Sequence, residues 1–384
     1  MSEYQYYEFL AIDRPLTPEE MSELRDLSTR AHITPVSFTN EYNWGSFRGD
    51  PDKMMQQYFD AHVYVANWMT AVFMVRVPIE TLSKMIVEVM SESYIPDFKA
   101  TETHWIITWS LDESENYDRF GEDDGRDWMV RLAPVRDELL RGDIRSLYIG
   151  WLVAVAREMA EDDDLEPLFL EGLGELTAAQ QALAEFLEVD KDLLEGAGLG
   201  SPALKAQETS QDKINEWIGR LAQDEVTDIL RQLLAGKGQQ VEKALKNRFA
   251  AWRRGLRGDM TEAPRRTVEE LLKNAETAKK IRLEKKELEQ KKRESKRRKE
   301  REAYLKILSE NFPKAWDTVR QHIERGSGLA YDDACRALFD LSEAYSLYSN
   351  RKLFQQELRS LMAEYNRRKA LIQRIVKAGI RHEK

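Results

Sequence analysis

YQYYEFLAIDRPLTPEE, residues 4–20, sets the reading of the N-terminal region. Residues 4–12 are aromatic and β-prone without helical periodicity, and Thr17-Pro18-Glu19-Glu20 then forms a capping box with proline at the first helical position. A strand therefore runs into a helix, whose apolar face carries Met21, Leu24, Leu27 and Ala31. Residues 33–47 turn β-like again, and Pro51 opens a short helix ending near Tyr58. Two more β-rich runs, 62–68 and 71–77, lead to Pro78 and a helix bearing Ile79, Leu82, Ile86, Val89 and Met90. Alternation over 104–110 places Trp105, Ile107 and Trp109 on one face of a strand. This order predicts an α+β domain over residues 1–112, helices on a mainly antiparallel sheet.

Helices dominate the remainder. Residues 112–127 are acidic and glycine-punctuated, a loop or boundary before a helical domain over 128–256. Ile144, Leu147, Tyr148, Trp151, Leu152, Val155 and Met159 recur at helical spacing, predicting a helix buried on one side. A second acidic break at 161–175 and a glycine-rich linker at 196–210 precede three helices anchored by Trp217, Ile229 and Phe249. After a break at 255–265, Thr267 and Glu270 form another capping box, and neither glycine nor proline recurs before Pro313. One long basic helix is expected within 266–310, about 43 residues extending roughly 64 Å at 1.5 Å per residue. With only Leu288 aliphatic between Glu284 and Arg301, the pairs Glu287–Lys291, Glu289–Arg293 and Glu294–Arg298 are expected to support it in solvent. A helical hairpin cluster over 311–384 completes the chain. The expected fold class is thus an α+β N-terminal domain followed by an all-α region with helical bundles and one long charged helix.

Net charge is −10 over 384 residues, but basic residues crowd between Lys279 and Arg301, thirteen Lys or Arg against five Glu. The single cysteine, Cys335, can form no internal disulfide and no cysteine-rich zinc cage, which fits a reducing, cytoplasmic setting. MSEYQYYEF lacks the basic-then-apolar layout of a secretory leader. The longest apolar stretch, 148–156, is far shorter than the roughly 20 residues of a spanning helix, so no membrane partner is expected.

Five histidines lack metal-site spacing, and no metal, cofactor or catalytic residue is expected. Residues 196–200 resemble a phosphate loop only superficially, because they follow a helix, and Gly236-Lys237-Gly238 lacks the Walker Ser or Thr. The acidic clusters at 122–124 and 161–164 lack calcium-loop spacing and read as solvated loops, and Cys335 reads as a small buried thiol. Residues 40–48 mix aromatics with hydrogen-bonding groups around a glycine, making Glu41, Tyr42, Trp44 and Arg48 the ligand-site candidates, against the alternative that they pack a core. In the basic helix, Lys291, Lys292, Arg293, Lys296, Arg297, Arg298 and Lys299 are candidates for contact with nucleic acid or an acidic protein, against the alternative of a solvated spacer.

Two blocks resemble an uncharacterised family of bacterial proteins. The first is YQYYEFLAIDRPLT with ITPVSFTNEYNWGSFRGDP. The second runs from AYLKIL through YDDACRALFDLSEAY to FQQELRSLMAEYNRRKALIQRIVKAGI and is similar to tails of bacterial SWIM zinc-finger proteins. The finger itself, which needs Cys-x-Cys and Cys-x-His, is absent. The resemblance implies a bacterial cytoplasmic protein acting beside a SWIM-finger partner and carries no catalytic residues. The leading expectation is a non-enzymatic interaction or scaffold protein whose long basic helix separates two binding modules. A sequence-nonspecific nucleic-acid-binding factor is the alternative, and an enzyme with an unrecognised N-terminal pocket is the third.

Overall fold

The computed structural model describes residues 3–45, 47–93, 95–112, 124–204, 211–255 and 265–380. The expected loop at 112–127, the linker at 196–210 and the break at 255–265 fall partly outside them, as does most of the 122–124 acidic cluster. Two compact units divide the chain, Met1–Ile281 and Arg282–Lys384.

The first unit is built on a seven-stranded antiparallel sheet of order β2-β3-β1-β4-β5-β7-β6. Its strands are β1 (Gln5–Leu10), β2 (His32–Thr34), β3 (Ser37–Tyr42), β4 (Ala61–Ala66), β5 (Thr70–Pro78), β6 (Asp97–Ala100) and β7 (His104–Leu111). Helices α1 (Pro18–Leu27), α2 (Pro51–Gln57) and α3 (Lys84–Ser91) lie between them. The Thr17 capping box is present as the sequence requires, Thr17 Oγ1 accepting from the Glu20 amide while Glu20 accepts from the Thr17 amide. The side-chain period of two gives the sheet two different faces. On one, Tyr7, Phe9 and Phe38 pack with Leu24 of α1 and Met54 and Met55 of α2.

The other face carries Val63, Val65, Phe73, Val75, Ile107 and Trp109, and its core extends far beyond residue 112. It is completed by α4 (Trp128–Leu132), α5 (Pro134–Leu140), α6 (Arg145–Ala156), α7 (Ala178–Phe186) and α8 (Lys191–Leu199). The expected boundary at 112 is therefore corrected: an apolar sheet face needs a second layer, and the helical segment supplies it. Buried Arg136 of α5 fastens that layer to the sheet, donating to both carboxylate oxygens of Asp13 at 3.1 and 2.6 Å and to the Arg76 carbonyl at 2.6 Å.

Helix α6 is also corrected, because Arg145 to Val155 are all buried and not one face alone. It lies between the sheet and the outer helices. The Trp109 indole donates to the Ser146 carbonyl at 3.0 Å, and a Cβ at Gly150 would stand 2.8 Å from Pro96.

The linker reading of 196–200 fails for a related reason. These residues close α8, where a Cβ at Gly196 would lie 2.5 Å from the Ala275 backbone nitrogen and one at Gly198 would lie 2.9 Å from Gly174 Cα. The glycines allow close backbone approach. The acidic cluster 161–164 is exposed, as expected, but Glu166 just beyond it is buried, accepts from the Arg266 side chain at 2.8 Å and from the Tyr148 hydroxyl at 2.8 Å, and thereby anchors the chain just before the long helix. Burial first, then the Glu166 charge, hold the Tyr148 hydroxyl well above its ordinary pKa.

Helices α9 (Gln211–Ile218), α10 (Gln223–Leu234) and α11 (Gly238–Gly255) share an aromatic contact set of Trp217, Phe249 and Trp252. Helix α12 (Val268–Ser309) then runs for 42 residues. Its first turn contributes Val268 and Leu271 to the core of the first unit, so the expected domain at 266–310 does not begin as a separate body. Residues 283–300 are exposed throughout. The second unit adds α13 (Phe312–Glu324), α14 (Gly328–Tyr348), α15 (Arg351–Glu364) and α16 (Lys369–Lys377) around Trp316, Val319, Leu338, Leu341, Phe354 and Leu358. Among the described residues, no helix is long and apolar enough to cross a membrane.

Candidate functional site

The four N-terminal candidates do not converge. Glu41 and Tyr42 are successive residues of β3 and so belong to opposite faces of the sheet. Glu41 accepts from Arg126 Nε at 3.0 Å, whereas the Tyr42 ring packs edge-on to Tyr7 and its hydroxyl accepts from Asn40 at 2.8 Å. Trp44 is 75% exposed, and Arg48 is exposed as well. Ser46, between them, lies outside the described residues.

A groove forms nearby from residues that the sequence reading passed over. Its volume is about 340 Å³, and it is lined by Tyr7, His62, Tyr64, Val72, Met74, Asp97 and Thr108 of the sheet, with Asp50, Pro51 and Asp52 at the start of α2. Pairing registers set His62, Met74, Thr108 and Asp97 opposite one another across β4, β5, β7 and β6, with Tyr7, Tyr64 and Val72 in the adjacent row. Both tyrosine hydroxyls donate to Gln5 Oε1, at 2.7 and 3.2 Å, which fixes the rings. His62 is only 1% exposed, stacks on Phe9 with ring centroids 3.8 Å apart, and donates from Nδ1 to the Glu8 carbonyl at 2.9 Å. Burial pulls its pKa down to about 3, so the imidazole is neutral, with Nε2 an acceptor that has no partner among the described residues. At the rim, Asp50 caps α2 by accepting from the amides of Asp52 and Lys53, and Asp52 binds Lys99 at 2.6 Å. Among the described residues Asp97 has no ion pair. No cue in residues 50–52 or at His62 reveals this convergence, because it depends on register across four strands.

The seven basic candidates are divided by helix geometry. At about 100° per residue, Lys285, Lys292, Lys296, Lys299, Lys286, Arg293 and Arg297 fall within about 160° of arc, accompanied by Glu289 and Glu300. The opposite side carries Glu284, Glu287, Glu294 and Glu302, and with them Lys291 and Arg298. Lys291 pairs with Glu287 at 3.9 Å, as expected, but Arg298 pairs with Glu302 at 2.9 Å, while Glu294 accepts from Gln290 at 2.9 Å. The expected pairs Glu294–Arg298 and Glu289–Arg293 are thus not formed, since each side chain has competing neighbours three and four residues away in both directions. On the basic side Lys296 reaches Glu300 at 3.9 Å, and Lys292, Arg293, Arg297 and Lys299 have no ion pair among the described residues. Charge is segregated, and the unpaired cations share one side.

Elsewhere, Cys335 is buried in α14, and its thiol pKa is raised by burial, so it lacks thiolate character. Among the described residues, no group of three or more His, Cys, Asp or Glu is placed to hold a metal ion. No family model, curated protein or solved structure matches the chain, and its functional reading rests on these surfaces.

Proposed function

We propose that this chain is a non-enzymatic, cytoplasmic interaction protein that holds an acidic protein partner on the basic side of α12. The observation that carries the reading is the gathering of Lys292, Arg293, Arg297 and Lys299, without ion pairs among the described residues, on one side of an exposed helix whose other side carries Glu284, Glu287, Glu294 and Glu302. An acidic helix presents carboxylates at the same three-, four- and seven-residue spacings, so opposite charges could meet in register. Glu289 and Glu300, interleaved on the basic side, suit a partner with its own basic residues better than a uniform phosphate backbone. The resemblance of the C-terminal block to tails of SWIM-finger proteins makes a protein of that class a candidate partner.

A nucleic-acid backbone is the second reading, favoured by the charge of the second unit. Residues 282–384 hold 26 Lys or Arg against 16 Asp or Glu, net +10, whereas residues 1–281 hold 32 against 52, net −20. No aromatic residue lies on the exposed stretch to stack bases, so such binding would be blind to sequence. Affinity capture from the native host, with and without nuclease, separates the readings. A stoichiometric acidic protein that survives nuclease supports the first; capture abolished by nuclease supports the second; no specific capture contradicts both.

A further inference from the structure

We infer that the groove between the sheet and the start of α2 is a binding site for a small organic cation, an alkylammonium or guanidinium group on an apolar stem. This inference stands apart from α12 and from the proposed protein partner. Its floor is Val72 and Met74, which suits methylene groups. Tyr7 and Tyr64 also line it, and since their hydroxyls are already committed to Gln5, the rings rather than the hydroxyls are what they offer a ligand. Its lining also includes three acidic residues, Asp97 of β6 and Asp50 and Asp52 at the start of α2. His62 and Asp97 are separated by three inter-strand steps, about 14 Å at roughly 4.8 Å each, a span suited to a flexible chain with a charged head.

His62 supplies the second, independent indication. His62 lines the groove, and with Nδ1 donating to the Glu8 carbonyl its neutral imidazole leaves Nε2, without a hydrogen bond among the described residues, as an acceptor for a donor on the ligand. An anion offers none and would meet three carboxylates. An ammonium or guanidinium offers several. The cations already at the rim are Lys53, 3.8 Å from Asp50, and Lys99, 2.6 Å from Asp52. Asp97 is the carboxylate left without an ion pair among the described residues, and Lys99, two residues along the same strand, is the built-in competitor.

Calorimetric titration of the full chain with agmatine, putrescine and a blocked Gly-Arg-Gly tripeptide, at physiological ionic strength, tests the site. Saturable one-to-one binding of at least one probe is expected, weakened about tenfold by Asp97→Asn and tightened severalfold by Lys99→Met, since removing a competing cation frees Asp52. Both positions are exposed, so neither variant endangers the fold. Binding of the tripeptide alone assigns the site to a basic side chain of a peptide, and binding of the free amines assigns it to a small metabolite; either supports the cation chemistry. Absence of saturable binding by all three probes, or affinity unmoved by both variants, would overturn it.

Discussion

His62 illustrates how one residue ties stability to the groove. Its folded pKa is about 3 against an ordinary value of 6.5, so between those pH values the unfolded chain takes up a proton that the folded chain refuses. Its stabilising contribution is complete above about pH 6.5 and is lost as pH falls toward 3. His104, lowered first by burial and then by Arg76, acts in the same direction, whereas Glu8 and Glu138, raised by burial, act in the opposite one. We therefore expect His62→Phe, which keeps the stacking on Phe9, to flatten the fall in unfolding midpoint between pH 6.5 and 4.5 in urea titrations; a profile parallel to the wild type would refute the assignment. Arg266 presents a different case, since its removal leaves Glu166, 2% exposed, without its ionic partner. Arg266→Ala should cost about 3 kcal/mol in the unfolding of the first unit. A loss under about 1 kcal/mol would place the pair among weak surface bridges.

At the scale of elements, close packing explains what residue type alone concealed. Gly196→Ala should destabilise the first unit by about 1–3 kcal/mol, because the new Cβ must push α8 from α12. Gly238→Ala, with open space around its Cβ, should be nearly neutral by the same thermal-melt measurement. The sequence made β1, the Thr17 and Thr267 caps, the aromatic face of β7 and the length of α12 legible, since each depends on neighbours within a few residues. It could not reveal that α6 is buried on every side, that the 196–200 glycines serve helix contact, or that Asp97 faces the row containing His62. Those properties arise from pairing between distant segments. The short strand β6, only four residues long, gives little periodicity to detect. In α12 the basic composition and, at about 100° per residue, the division into two sides follow from the sequence, whereas which charges pair depends on side-chain geometry.

For the whole molecule, two features stand together: each unit has its own apolar core, and the two carry net charges of opposite sign. The core around Leu338 shares no residue with that around Phe73. Leu338→Ala should therefore lower the stability of the second unit by about 2–5 kcal/mol and leave the transition of the first unmoved in calorimetry; a single transition shifted as a whole would show that the units fold as one. The sidedness of α12 is tested by comparing two double reversals of equal charge, Lys292→Glu with Arg293→Glu and Lys291→Glu with Arg298→Glu, by the anisotropy of labelled poly-glutamate. We expect the first pair to abolish binding and the second to leave most of it intact. Equal losses from both pairs, or none from either, would contradict that sidedness.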